Sequence, residues 1–191
     1  FFLFVVQQQS RQQMARRMRE VRLRDYGSLD HLQFTDQGEM PRARGDNILL
    51  NVRACALGQV DTMVRHGDME DILCLHNNQE GCVMGYEVSG VVETIGPNVP
   101  SEYGLVVGDE VVGIVPLDER NGGYADYLSL PYYFFVKKPV VVTHAEAAGC
   151  LAPGVRAYTA MQYRMKLAAG QSILILDGAS VCFGKKEKEK E

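Results

Sequence analysis

The stretch Ile173-Leu-Ile-Leu-Asp-Gly-Ala-Ser180 carries a pattern whose spacing points to ligand chemistry. Four consecutive apolar residues, Ile173 to Leu176, follow a helix stop at Gly170 and fit a strand buried on both faces. The turn Gly178-Ala179-Ser180 comes next. A strand and a glycine-containing turn in this order ordinarily open a helix whose N-terminal amides cradle a dinucleotide pyrophosphate. Here Val181-Cys-Phe-Gly184 leads into Lys-Lys-Glu-Lys-Glu-Lys-Glu, so a charged, disordered tail is expected over 185–191 in place of that helix. Burial of the four apolar residues is worth roughly 1.5–3 kcal/mol each. The sum, about 6–12 kcal/mol, is of the order of a whole domain's net stability. Without a cover, 173–176 is expected to be ill packed and to self-associate through its open strand edges.

The other reactive side chains form no such pattern. The five cysteines are Cys55, Cys74, Cys82, Cys150 and Cys182, odd in number and never spaced Cys-x-x-Cys. That argues against a disulfide framework and a zinc ribbon and fits a reducing, cytoplasmic setting. Cys55, Cys74 and Cys82 read as core or loop thiols. His31, His66, His76 and His144 are scattered, without ligand spacing, and read as structural or surface residues. Asp61 and Arg65 stand four apart and read as a surface pair on a short helix. No general acid and base stand out, so the sequence names no catalytic residue.

The elements that must carry these groups are many and short. Strands are expected over 21–25, 32–35, 48–55, 88–95, 110–115, 124–128 and 132–136, with turns at Gly45-Asp-Asn47, Gly96-Pro-Asn98 and Asn121-Gly-Gly123. Ile48, Leu50, Val52 and Ala54 alternate with polar residues, as in a half-buried strand. Residues 61–66 fit a short helix stopped at Gly67, and 69–81 a loop. Short strands at this density predict a small β-barrel or sandwich. At Thr143-x-x-Glu146 a capping box starts a helix, and Pro153-Gly154 should break it and begin a second one, which ends near Met165. The expected organisation is a disordered extension over 1–20, a β-rich domain over 21–142, the start of an α/β domain over 143–184, and the tail. Residues 1–6 are too few for a membrane span and lack the basic flank of a signal peptide. Met14 or Met18 is the expected natural start. With 191 residues and a net charge of −4, the chain gives no electrostatic reason to bind nucleic acid, and no membrane partner is expected.

From Asn47 to Ser180 the sequence resembles the medium-chain dehydrogenase/reductase superfamily. The matching segments are Val52-Arg-Ala-Cys-Ala-Leu-Gly-Gln-Val-Asp61, Gly85-Tyr-Glu-Val-Ser-Gly-Val-Val-Glu-Thr-Ile-Gly96, Val107-Gly-Asp-Glu-Val-Val-Gly113, Gly122-Gly-Tyr-Ala-Asp-Tyr127, Glu146-Ala-Ala148 and Gly154-Val-Arg-Ala-Tyr-Thr-Ala160. Their order and spacing, not any single one, carry the resemblance. It is similar in particular to the zinc-independent quinone oxidoreductase branch.

The resemblance implies a mainly β GroES-like barrel, then helices, then the first strand of a Rossmann domain that is truncated in this sequence. It implies hydride transfer from NADPH to a small-molecule quinone, activated carbonyl or alkene. Thr159, in the family's Thr-Ala pair, and Gly178, Ala179 and Ser180 of the phosphate turn are the implied cofactor contacts. No zinc is expected: Gly58 occupies the position of the family's metal-binding Cys, and Tyr86 that of its His. Gly58 and Met63 also replace an Asn and a Tyr that contact the nicotinamide side in quinone reductases proper. The expectation for the chain alone is an inactive fragment, with a non-catalytic binding or interaction module as the alternative.

Overall fold

The computed structural model describes residues 16–69 and 81–175. Strand β1 (Arg17–Leu23) pairs antiparallel with β2 (Leu32–Glu39), and also with β4 (Cys82–Val83). These make a three-stranded sheet in the order β2-β1-β4. The second sheet takes the order β7-β3-β5-β6-β8 and is antiparallel throughout. Its strands are β3 (Asn47–Cys55), β5 (Glu87–Ile95), β6 (Glu110–Ile114), β7 (Tyr127–Pro131) and β8 (Phe135–Lys137). Helix α1 (Gln59–His66) follows β3, and α2 (His144–Thr159) packs across β3, β5 and β6. The expected β-rich domain is therefore present.

Side chains from both sheets meet in one core. Leu23, Ile48, Leu50, Val88, Val111, Leu128, Leu130 and Phe135 are fully enclosed. The alternation along β3 holds for Ile48 and Leu50, yet Leu49 is buried as well. β3 lies between β5 and β7, and α2 covers part of the sheet, so solvent does not own its second face.

Several boundaries differ from the sequence reading. β1 starts at Arg17, not at residue 21, because Met18 and Glu20 already pair with β2 and are buried. The segment 122–126 is not yet β7, because its backbone is spent elsewhere. The Gly122, Gly123 and Tyr124 amides donate to Val83, Gly85 and Met84 carbonyls at 2.8–2.9 Å, and the Tyr124 carbonyl accepts from Val21. That segment stitches the two sheets together. Residues 132–134 form a 3-10 turn before β8.

The Thr143 capping box forms as expected, with Glu146 Oε2 accepting from the Thr143 amide at 2.8 Å and Thr143 Oγ1 from the Glu146 amide at 3.2 Å. Pro153 does not break α2, contrary to expectation. A proline costs the helix one donor and crowds the carbonyl four residues back, which here belongs to Gly149. The neighbouring Ala152 amide is held by the Glu87 carboxylate from β5 at 3.0 Å. α2 runs on into a wider π-helical turn over Ala160–Arg164.

The strand expected at Ile173–Leu176 is absent over its described part. Residues 173–175 join neither sheet, and Leu174 is 83% exposed. A strand exists only through its ladder partners, and among the described residues none reaches this one. Leu176 and 185–191, like 1–15 and the loop over 70–80, lie outside the described residues.

Candidate functional site

The site is built around a side chain that is not there. β3 ends at Cys55 and turns through Gly58 into α1. Gly58 is extended, and its amide donates to Asp61 Oδ2 at 2.9 Å, so the carboxylate caps the helix that follows it. A Cβ at Gly58 would stand 3.7 Å from Asp61 Oδ2 and 3.7 Å from Glu87 Oε1. Two carboxylates thus flank the vacant position. Glu87 is the first residue of β5, and its second oxygen holds the Ala152 amide of α2. The site therefore touches β3, α1, β5 and α2.

Behind Gly58 the packing is tight. Gly85 has φ +100, and a Cβ there would fall 2.7 Å from Cys55 Sγ and 2.8 Å from Tyr124 Cδ1. Only glycine meets both demands. Burial dominates the electrostatics. It raises the Asp61 carboxyl above the usual range, against the opposing hydrogen bond from Gly58. Asp61 Oδ1 completes no hydrogen bond, although the Tyr124 hydroxyl lies close enough to favour the charged form. Burial, aided by the charge of Asp61, pushes the Cys55 thiol up to about 12. The Tyr86 and Tyr124 phenols are likewise raised, mainly by burial. Near neutral pH the site offers a protonated thiol and two neutral phenols, not a nucleophile.

Thr159 ends α2 and is exposed, while Gly178, Ala179 and Ser180 lie outside the described residues. The Asp61–Arg65 surface pair is corrected: Asp61 turns inward and is 5% exposed, and Arg65 donates to the Gly27 carbonyl. The spacing of Gly58 and Asp61, as cap and third helical residue, was the available signal. Glu87 carried no signal of its own.

His31 Nδ1 donates to the Tyr26 carbonyl at 2.7 Å, and His66 lies against Arg65. His144 sits between Ser89 and Glu110. His76, Cys74 and Cys182 lie outside the described residues. Cys82 is buried and Cys150 exposed, both as free thiols. Among the described residues, no three His, Cys, Asp or Glu side chains converge as a metal site, and no helix is long and apolar enough to cross a membrane.

The fold is mainly β, two antiparallel sheets around one core, followed by a helix packed on the larger sheet. Residues 44–140 match the alcohol dehydrogenase GroES-like domain, and the chain belongs to that family, within the medium-chain dehydrogenase/reductase superfamily. It is 34% identical over 147 residues to quinone oxidoreductase-like protein 1 of Mus musculus, covering 77% of this chain and 39% of that protein. It is 31% identical to the chloroplastic NADPH-dependent alkenal/one oxidoreductase of Arabidopsis thaliana, covering 81% and 39%. A mycobacterial protein solved in complex with NADPH, Rv1454c, superposes with a TM-score of 0.70 at 28% identity, over 86% of this chain and 47% of that one. The chain thus spans less than half the length of these proteins.

Proposed function

We propose that this chain forms the substrate-side half of an NADPH-dependent, zinc-independent reductase of quinones or related activated carbonyls and alkenes. The observation that carries this reading is the donor chemistry around Gly58. Catalytic zinc is held by three protein ligands, with thiols bound as thiolates and histidines as neutral rings. Here Gly58 has no side chain, Tyr86 is a buried neutral phenol, and the Cys55 thiol is held protonated. The Glu87 carboxylate is engaged by α2. These donors do not suit zinc.

They do suit a reaction in which a dinucleotide supplies the hydride and the protein supplies position. Asp61 fixes the start of α1, and Glu87 fixes α2 against β5. α2 carries Thr159 to an exposed end, open to a cofactor. Cys55, Tyr86 and Tyr124 pack into the core behind the loop. The remaining cofactor contacts we assign to Gly178, Ala179 and Ser180. A dinucleotide is gripped over two βαβ halves, and none forms among the described residues. We therefore assign turnover to the complete protein and expect none from the described residues alone. Free thiols at Cys55, Cys82 and Cys150 favour a reducing, cytoplasmic setting, and the exposed Ile173–Ile175 favours self-association of the isolated chain.

The test is NADPH oxidation by the complete protein with a quinone and with an alkenal, each with and without a chelator. The expected result is turnover of at least one acceptor, unchanged by the chelator. Turnover abolished by the chelator and restored by zinc would overturn the metal-free reading. Absence of both turnover and saturable NADPH binding would overturn the reductase reading itself.

A further inference from the structure

A cleft of about 270 Å3 lies between β1, β4 and the segment that leads into β7, and Gly58, Asp61 and Glu87 take no part in its lining. Four charged residues line it: Glu20, Arg22, Glu39 and Arg120. Glu20 is the most enclosed of them, at 4% exposure.

The fold makes room for the Glu20 carboxylate. The β1–β2 register shifts between Met18 and Glu20, and such a bulge re-aims the side chains beside it. On β2, a Cβ at Gly38 would fall 2.7 Å from Glu20 Cδ and 2.8 Å from its Oε2. The glycine leaves the carboxyl group a place that a larger residue would contest. Arg22 then satisfies only one oxygen: its Nε and Nη2 both donate to Oε1, at 2.9 and 2.8 Å. Among the described residues Oε2 accepts no hydrogen bond. A buried carboxylate oxygen without a donor is costly.

The other charges on the lining do not relieve it. Among the described residues, Glu39 and Arg120 form no ion pair with each other or with a third group. Two acids and two guanidinium groups leave the lining without net charge. A phosphate would meet both carboxylates, and a simple cation both arginines. A molecule carrying one charge of each sign answers both sets. We propose that this cleft binds a small amino-acid zwitterion, with its ammonium at Glu20 Oε2 and Glu39 and its carboxylate at Arg120.

The walls are held by main chain. The Val83 amide donates to the Arg120 carbonyl at 2.9 Å and the Gly122 amide to the Val83 carbonyl at 2.8 Å. Glu20 and Ala125 form a further bridge across the cleft's edge. A ligand therefore enters a preformed site and orders no loop. The proposal shares no residue with the reductase reading and stands or falls apart from it.

Amide NMR titration of the 191-residue chain tests this, with glycine, β-alanine and 4-aminobutyrate, in which the charge separation grows. Methylamine and acetate are the single-charge halves. At least one zwitterion should saturate, shifting the Glu20, Asn121 and Gly122 amides, and should bind at least about tenfold more tightly than either half. Glu20→Gln should weaken it by at least about tenfold, the factor for one charged hydrogen bond. Arg120→Gln, at an exposed position, should weaken it similarly and decides the matter if Glu20→Gln fails to fold. Gly38→Ala should also weaken it, by crowding the carboxylate without changing any charge. Failure of all three zwitterions to saturate would overturn the proposal. So would equal binding of acetate or methylamine, or unchanged affinity in Arg120→Gln or in folded Glu20→Gln.

Discussion

Replacing Gly123 by Ala isolates the packing behind the site. The new methyl would stand 2.2 Å from Val88 Cγ1, 2.8 Å from Cys55 Sγ and 3.4 Å from Cys55 Cβ. Carbon atoms pack at about 3.5–4.0 Å, so the overlap with Val88 exceeds 1 Å. Val88 is fully buried on β5, and its branched side chain has few rotamers to escape into. The backbone at 122–124 is held by three hydrogen bonds to the 83–85 segment and cannot retreat cheaply. Overpacking of this kind costs about 1–3 kcal/mol, and the two fixed sides put Gly123→Ala at the upper end, about 3 kcal/mol. Urea unfolding followed by circular dichroism measures it. Val88→Ala alone should also destabilise, by a cavity, but in the double variant the new methyl fills part of that space. The two losses should then be subadditive by at least ~1 kcal/mol. Additive losses, or a Gly123→Ala loss below about 1 kcal/mol, would refute the claim that this glycine is required by close approach.

Three further outcomes are expected. At about pH 8 a thiol lifted to about 12 is ionised to the order of 10⁻⁴, so peptide mass spectrometry after alkylation should show Cys150 modified long before Cys55, with Cys82, lifted to about 11, also slow. Burial raises the folded-state pKa of Asp61, so its favourable contribution exists below the unfolded carboxylate range and is lost as pH rises through the folded value. The stability of wild type relative to Asp61→Asn should therefore fall from acid to neutral pH in urea titrations, and a rising trend would contradict the assignment. Amides of Ile173, Leu174 and Ile175 should exchange near the unfolded-chain rate, and strong protection in a monomer would show a packing partner not seen here.

The β architecture was legible because its signals are local. Alternation along β3 and the stop at Gly67 each depend on a few adjacent residues, and the Thr143 box on a four-residue spacing. What escaped depends on distant partners. Nothing near Pro153 announces that a carboxylate 65 residues away will hold the Ala152 amide. Residues 124–126 have strand propensity, but their backbone groups serve β1 and β3 instead of starting β7. Asp61 and Arg65 have the spacing of a surface pair, and only the burial of one face of α1 turns the acid inward. Ile173 to Ile175 have the composition of a core strand, yet composition supplies no neighbour.

The two acids at Gly58 raise the question of what carboxylates do beside a position with no side chain. A buried carboxylate is expensive unless it accepts hydrogen bonds, and each of these accepts one from a backbone amide at a point where an element needs it. Asp61 satisfies the Gly58 amide at the head of α1, one of the donors that a helix start leaves without an intrahelical partner. Glu87 satisfies Ala152 beside the proline of α2. Each acid therefore serves the helix whose amide it holds. The same bonds tie the Gly58 turn to α1 and β5 to α2.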